Sequence, residues 1–188
     1  TNLTYKATVV GAPTFAYQPY GLGMDPRAGT YRFAVADTSR HQVRVFAFDP
    51  VSGASTELLA FGERGSGDGE FYYPHDVAID AAGRFWVADT DNHRMQLFSA
   101  AGLHVATIGG PTAGSGDGEF NIPWGVSVDT NGNVWVADTG NHRIQKFDSD
   151  GNFIKKWGVF GDDAGELSGP TGVAVDGADN IYVVESLN

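Results

Sequence analysis

The residues most able to do chemistry fall into a few arrangements. Asp-Thr-x-x-His-Arg occurs at Asp89, Thr90, His93 and Arg94, and again at Asp138, Thr139, His142 and Arg143. A carboxylate four residues from an imidazole is a candidate acid–base pair. Residues 148–152 (DSDGN) match the first half of a calcium loop, but Val159 stands where the distal bidentate Glu is needed. Residues 65–71 (GSGDGEF) recur letter for letter at 114–120, and in weaker form at 161–167. Bare N–H groups of such a loop can cradle a phosphate. A phosphate loop, however, needs a following helix and usually a Lys, and Asp68, Glu70, Asp117 and Glu119 repel an anion.

Repetition decides among these readings. Catalytic sites break symmetry, whereas structural turns recur. No catalytic residue and no metal ligand is therefore assigned. Asp37, Asp89, Asp138, His93, His142, Arg94 and Arg143 read as structural turn residues. The Asp and Thr side chains are expected to bond N–H groups of their own turn, and Arg94 to reach an acid such as Glu70. The 65–71 loop reads as a crossover whose Phe71 and Phe120 plug between neighbouring units. Residues 148–152 read as a type I′ hairpin turn.

The elements that position these residues also repeat. Pro-x-x-x-x-x-Asp occurs at 19–25, 74–80, 123–129 and 170–176, at intervals of 55, 49 and 47 residues. A second element follows at 33–38, 85–90, 134–139 and 181–186, a third at 41–46, 93–98 and 142–147, and a fourth ends at Gly62, Gly109 and Gly158. Each is short, rich in Val, Ile, Phe, Trp and Tyr, and bounded by Gly, Asp or Asn, which is the pattern of a β-strand. Four strands per period of about 48 residues is the signature of a propeller blade. Trp86, Trp135 and Trp157 are expected in the blade-packing core.

Pro-x-Gly-Val-x-Val-Asp followed by Gly-Asn-x-Trp-Val-Ala-Asp-Thr-x-Asn-His-Arg-Ile-Gln-x-Phe resembles the NHL repeat. The match is close across 65–186, and residues 123–147 fit nearly position for position. The first repeat departs from the pattern, with Gln42 where the others have Arg94 and Arg143. The resemblance implies a β-propeller, usually of six blades, that presents a rigid face to protein, glycan or RNA partners. Similar propellers also include lyases and lactonases with a metal in the central channel, which is the enzymatic alternative.

The expected fold is all-β: a propeller of four-stranded antiparallel blades, incomplete at about 3.5 blades plus a lone strand. Residues 1–18 hold the lone strand (4–11) and the approach to blade one. Residues 19–62, 74–110 and 123–160 form three blades, and 170–188 a half blade. Either the chain is a piece of a longer propeller, or another copy supplies the missing strands. Open blade edges invite pairing with other chains, so Tyr5, Ala7, Val9 and Val183 are expected on an assembly edge and a head-to-tail filament becomes conceivable.

One place breaks the repeat. Tyr20, His75, Trp124 and Thr171 follow the conserved-position Pro of each inner strand, where they would rim the central channel, and Asp76 varies with them. Nothing in the scaffold demands this variation, so these five are the candidate binding site.

Composition narrows the partners. With 12 Lys and Arg against 23 Asp and Glu, the net charge is −11, which argues against nucleic acid and anionic membranes. No apolar run approaches the ~20 residues of a membrane span. The absence of Cys excludes disulfides and thiol catalysis. No cofactor is expected, and the expected partner is protein, further copies of the chain included. High acidity, few Lys and abundant Thr, Ser and Gly point to an extracellular or cell-surface location. Asn2 opens a glycosylation sequon. The first residue is Thr1 rather than Met, which fits a processed product or a fragment.

Overall fold

The computed structural model describes residues 19–27, 29 and 31–186. The lone-strand reading of 4–11, with Tyr5, Ala7, Val9 and the sequon at Asn2, lies outside them.

The described chain is three four-stranded antiparallel sheets followed by a two-stranded one. The first sheet holds β1 (Pro19–Met24), β2 (Arg32–Asp37), β3 (Gln42–Phe48) and β4 (Ser55–Phe61). The second holds β5 (Pro74–Ile79), β6 (Phe85–Asp89), β7 (Arg94–Phe98) and β8 (His104–Gly109). The third holds β9 (Pro123–Val128), β10 (Val134–Asp138), β11 (Arg143–Phe147) and β12 (Phe153–Trp157). The last has β13 (Pro170–Val175) and β14 (Ile181–Glu185). Strand order follows chain order within every sheet. The inner strands β1, β5, β9 and β13 lie side by side. This is an incomplete β-propeller. No helix among the described residues is long and apolar enough to cross a membrane.

The local chemistry of each strand pair is legible in the repeat. The Asp that ends Pro-x-x-x-x-x-Asp closes the turn between the two inner strands. Asp80 accepts from the N–H groups of Ala82 and Arg84, and Asp129 from those of Asn131 and Asn133. At Asp176 the side chain and backbone N–H of Asn180, with the Ala178 N–H, hold the carboxyl down at about 2.

The core lies between blades rather than within them. Ala34, Val43 and Val45 of the first blade pack on Val77, Phe85 and Val87 of the second. Met95, Leu97 and Trp86 pack on Val126, Val134 and Val136 of the third in the same way. Phe71 and Phe120 are fully buried plugs in these seams. Each plug needs a glycine beneath it. Gly62 and Gly109 have φ of +92° and +80°, and a Cβ on either would collide with the ring of Phe71 or Phe120. Gly158 stands in the same relation to Leu167. The glycine that ends the fourth strand thus supplies both a left-handed turn and the space for the next plug.

Trp157 departs from the expected core position. It is 38% exposed, stacked on Trp135 at 4.9 Å. Its blade faces the two-stranded sheet of β13 and β14. A trough of about 400 Å³ results, lined by Trp135, Ile144, Trp157, Leu167, Ile181 and Val183. Val183 lies on the last described strand with its side chain packed against the third blade, and the exposed apolar residues of that strand are Tyr182 and Val184.

The hairpin at 148–152 is also corrected. Gly151 has φ of +89° and its N–H bonds the Asp148 carbonyl, while Asp150 is not left-handed. Type I′ needs positive φ at two central residues, so this is a three-residue loop with a left-handed Gly. The Asp148 carboxylate accepts from the N–H groups of Asp150 and Asn152 and from the Asn152 amide.

Candidate functional site

Three turn segments, Thr38–Arg40, Thr90–Asn92 and Thr139–Asn141, join the second and third strands of the complete blades. Each ends on a left-handed His, with φ of 53–56°. The sequence suggests bonds from the Asp and Thr side chains to N–H groups of their own turn, but their backbone partners lie elsewhere. Asp89 Oδ1 accepts the Tyr72 N–H at 2.7 Å, from the loop before its blade. Asp89 Oδ2 accepts from Asn92, Arg94 and Gln96. Burial pushes the Asp89 carboxyl up against these bonds. Thr90 Oγ1 donates to the Pro123 carbonyl of the next blade at 2.7 Å.

Arg94 does not pair with the Glu70 carboxylate. It donates to the carbonyls of Ser66, Gly67 and Glu70, while Glu70 Oε2 accepts the Gly67 N–H within its own loop. Asp138, Thr139 and Arg143 repeat the arrangement in the third blade. The first blade differs because Gln42 replaces Arg. Asp37 there faces Arg44 at 3.5 Å, and Arg44 also bonds Glu57.

The turn histidines carry no free base. His93 Nδ1 accepts the Ile122 N–H, His142 Nδ1 that of Gly169, and His41 Nδ1 that of Tyr73. Each His thus latches its blade to the residue before the next inner strand.

These latches are separable in experiment. Thr90→Val keeps the shape of the side chain but orphans the buried Pro123 carbonyl. It should lower unfolding stability by about 1–2 kcal/mol, read from urea midpoints; no change would show that this latch contributes nothing.

The candidate rim residues converge. Pro19 pairs Asp37 and Leu22 pairs Val35, so one extra residue sits on the first inner strand. The same slip follows Pro74, Pro123 and Pro170. A bulge re-aims the side chain it carries, and residues 20, 75, 124 and 171 follow the prolines at these four slips. They line a hollow of about 280 Å³ with Gly21, Leu22 and Asp76. The His75 ring stacks on Trp124 at 4.7 Å and meets Tyr20 edge-on at 4.9 Å. Tyr20 is well exposed. Thr171 Oγ1 donates to the Val184 carbonyl at 3.4 Å. Burial lowers the His75 pKa, opposed by Asp91, and its Nδ1 is buried without a hydrogen-bond partner.

Asp76 stands where the other repeats have Gly21, Gly125 and Gly172. The inner strands approach closely there: a Cβ on Gly125 would come within 2.9 Å of the Gly172 Cα, and one on Gly21 would collide with the Asp76 carboxylate. Asp76 Oδ1 accepts the Val77 N–H and Oδ2 the Val126 N–H at 2.9 Å. Burial still pushes its carboxyl up to about 7. Asp76 also borders the larger inner groove of about 610 Å³ between the innermost strands.

A neighbouring cluster was not singled out from the sequence. Tyr72 stacks parallel to His41, Tyr73 meets both edge-on, and Arg64 sits over the Tyr72 ring. Its signal was Tyr72-Tyr73 at positions where the later repeats read Asn121-Ile122 and Ser168-Gly169. Among the described residues no group of three His, Asp or Glu could hold a metal ion.

Comparison with known proteins matches the NHL repeat model at residues 71–98 and 120–147. NHL repeat-containing protein 3 of Homo sapiens is 51% identical over 41 residues, which is 22% of this chain and 12% of that protein. Protein lin-41 of Caenorhabditis elegans is 45% identical over 49 residues, 26% of this chain and 4% of that protein. The alignments thus span small parts of these relatives. Among solved structures, a streptogramin B lyase superposes with a TM-score of 0.59 at 17% identity, over 90% of this chain and 49% of that one. Kuenenia stuttgartiensis hydrazine synthase does so with 0.64 at 14%, over 96% and 46%. At such identities the likeness is one of fold, and this chain spans about half of each.

Proposed function

We propose that this chain, two stretches of which match the NHL repeat model, is a non-enzymatic binding scaffold that takes a protein partner at the mouth of its channel. The support is the hollow itself. The residues that repeat are spent on holding blades together through Asp89, Thr90, His93 and Arg94. The residues that vary are the ones that the bulges turn into one aromatic hollow. A rigid scaffold with variable side chains at one face is the usual division of labour in a binding module.

A phage-displayed peptide library selected on the wild-type chain, with counter-selection on the Tyr20→Ala/Trp124→Ala double variant, tests this. A shared sequence pattern that depends on the two rings is expected. Peptides that bind both forms equally, or no enrichment, would overturn it.

Self-association through open blade edges is the finer part of the proposal. Its support is the uncovered trough beside Trp157 and the exposed Tyr182 and Val184 of the last strand. Light scattering decides it. A mass that grows with concentration is expected, and a fixed monomer mass up to roughly 100 µM, where even weak association shows, would sink it.

A further inference from the structure

We infer that the hollow bounded by Tyr20, His75 and Trp124 is a site for an organic ammonium group, whose charge meets the Asp76 carboxylate and the aromatic faces. This inference rests on the channel mouth being the binding site.

The first ground is Asp76. Three repeats carry Gly at this position, so the scaffold does not call for a carboxylate. Glycine would suit the close approach of the inner strands better. The two backbone N–H groups that bond Asp76 are neutral, and among the described residues no Lys or Arg offsets its charge. A half-enclosed carboxylate without a countercharge is costly to ionise, and a bound cation removes that cost.

The second ground is the wall. Tyr20, His75 and Trp124 form one contiguous aromatic surface. Trp and Tyr faces attract cations most strongly where water is partly excluded. His75 is held toward its neutral form by burial, so it adds a ring without a competing charge.

The third ground is what the hollow lacks. Among the described residues its lining contains no Lys or Arg, which disfavours an anion. No third donor converges with His75 and Asp76 to hold a metal ion among the described residues. At about 280 Å³ the hollow is small for a drug-sized molecule, and an ammonium head with a short alkyl stem suits it. The overall charge of −11 raises the local concentration of cations.

Such a group comes from a free amine or from a lysine side chain of a protein partner. Four probes separate the chemistry from its source. n-Butylammonium presents the charge alone, and Nα-acetyl-lysine methylamide presents it on a peptide unit. 1-Butanol and butyrate present the same stem neutral or anionic. Binding is followed by NMR shifts of the Trp124 indole N–H and the Tyr20 ring, at a pH above 7.5 so that Asp76 is ionised.

Both ammonium probes are expected to bind, and Asp76→Asn to weaken them about tenfold while leaving the spectrum otherwise folded. Tighter binding of the lysine derivative would assign the source to a protein partner, and the reverse order to a free amine. Equal binding of 1-butanol, preference for butyrate, or no effect of Asp76→Asn would overturn the inference. If peptides selected on the two rings still bind under those outcomes, only the cation chemistry falls. If neither peptide nor probe perturbs these rings, the binding site falls with it.

Discussion

Asp76→Asn will change how stability depends on pH, and the change will be large. The Asp76 carboxyl is raised from 3.8 to about 7 by burial in the folded chain. Between these values the folded state holds a proton that the unfolded chain has released. The unfolded state then binds fewer protons, so stability falls as pH rises. The contribution of Asp76 is fully present below pH 3.8 and lost as pH climbs through about 7. A shift of this size is worth up to about 4 kcal/mol. Other carboxylates titrate too, and Asp176, held down at about 2, acts with the opposite sign. Their effects cancel when wild type and variant are compared at each pH. Urea unfolding at pH 4 and pH 8 should therefore show the variant gaining several kcal/mol on wild type between the two. A gain below about 1 kcal/mol, less than one pKa unit's worth, would mean that the carboxyl is not held out of its ordinary range. The stability missing at pH 8 is the cost of holding a carboxylate without a countercharge beside the hollow, and under the proposal above a bound cation would offset it.

Arg94→Ala will destabilise the chain by about 3–5 kcal/mol, the usual result of removing one side of a buried ion pair. Arg94 is buried, and its guanidinium bonds the Asp89 carboxylate and the Ser66, Gly67 and Glu70 carbonyls. Ala leaves the carboxylate without its countercharge and the loop carbonyls without a donor. Arg94→Lys will recover little, because an ammonium cannot present donors in a planar fork. Lys156→Ala is the control. Lys156 pairs with Asp117 at the surface, and its loss should cost under about 1 kcal/mol. Chemical denaturation of the three variants decides the matter, and equal losses at Arg94 and Lys156 would show that the loop is not pinned by Arg94.

The first blade shows how the same framework absorbs a change at this position. Gln42 donates to the Gly62 carbonyl instead, and Arg44, one strand position pair further on, supplies the positive charge toward Asp37. A reading of the repeat alone sees the missing Arg at position 42 but not the compensating one, since the two side chains become neighbours only on the folded sheet.

The strand pattern, the blade order and the recurrence of Asp80, Asp129 and Asp176 were readable in the chain. These features are local: each Asp bonds N–H groups two and four residues ahead. The variation at Tyr20, His75, Asp76, Trp124 and Thr171 was equally plain against a regular repeat. Fold and packing alone decided the rest. Asp89 takes its N–H from 17 residues earlier and Thr90 gives its proton to a carbonyl 33 residues later. Trp157 is exposed while stacked on Trp135, a relation between strands that its own strand does not record. The bulges that place Tyr20, His75, Trp124 and Thr171 around one hollow arise from register between strands. Sequence spacing records what a residue can reach along its own strand and turn. Where blades meet, the partner is set by how two sheets pack, and that relation is carried by no single stretch of chain.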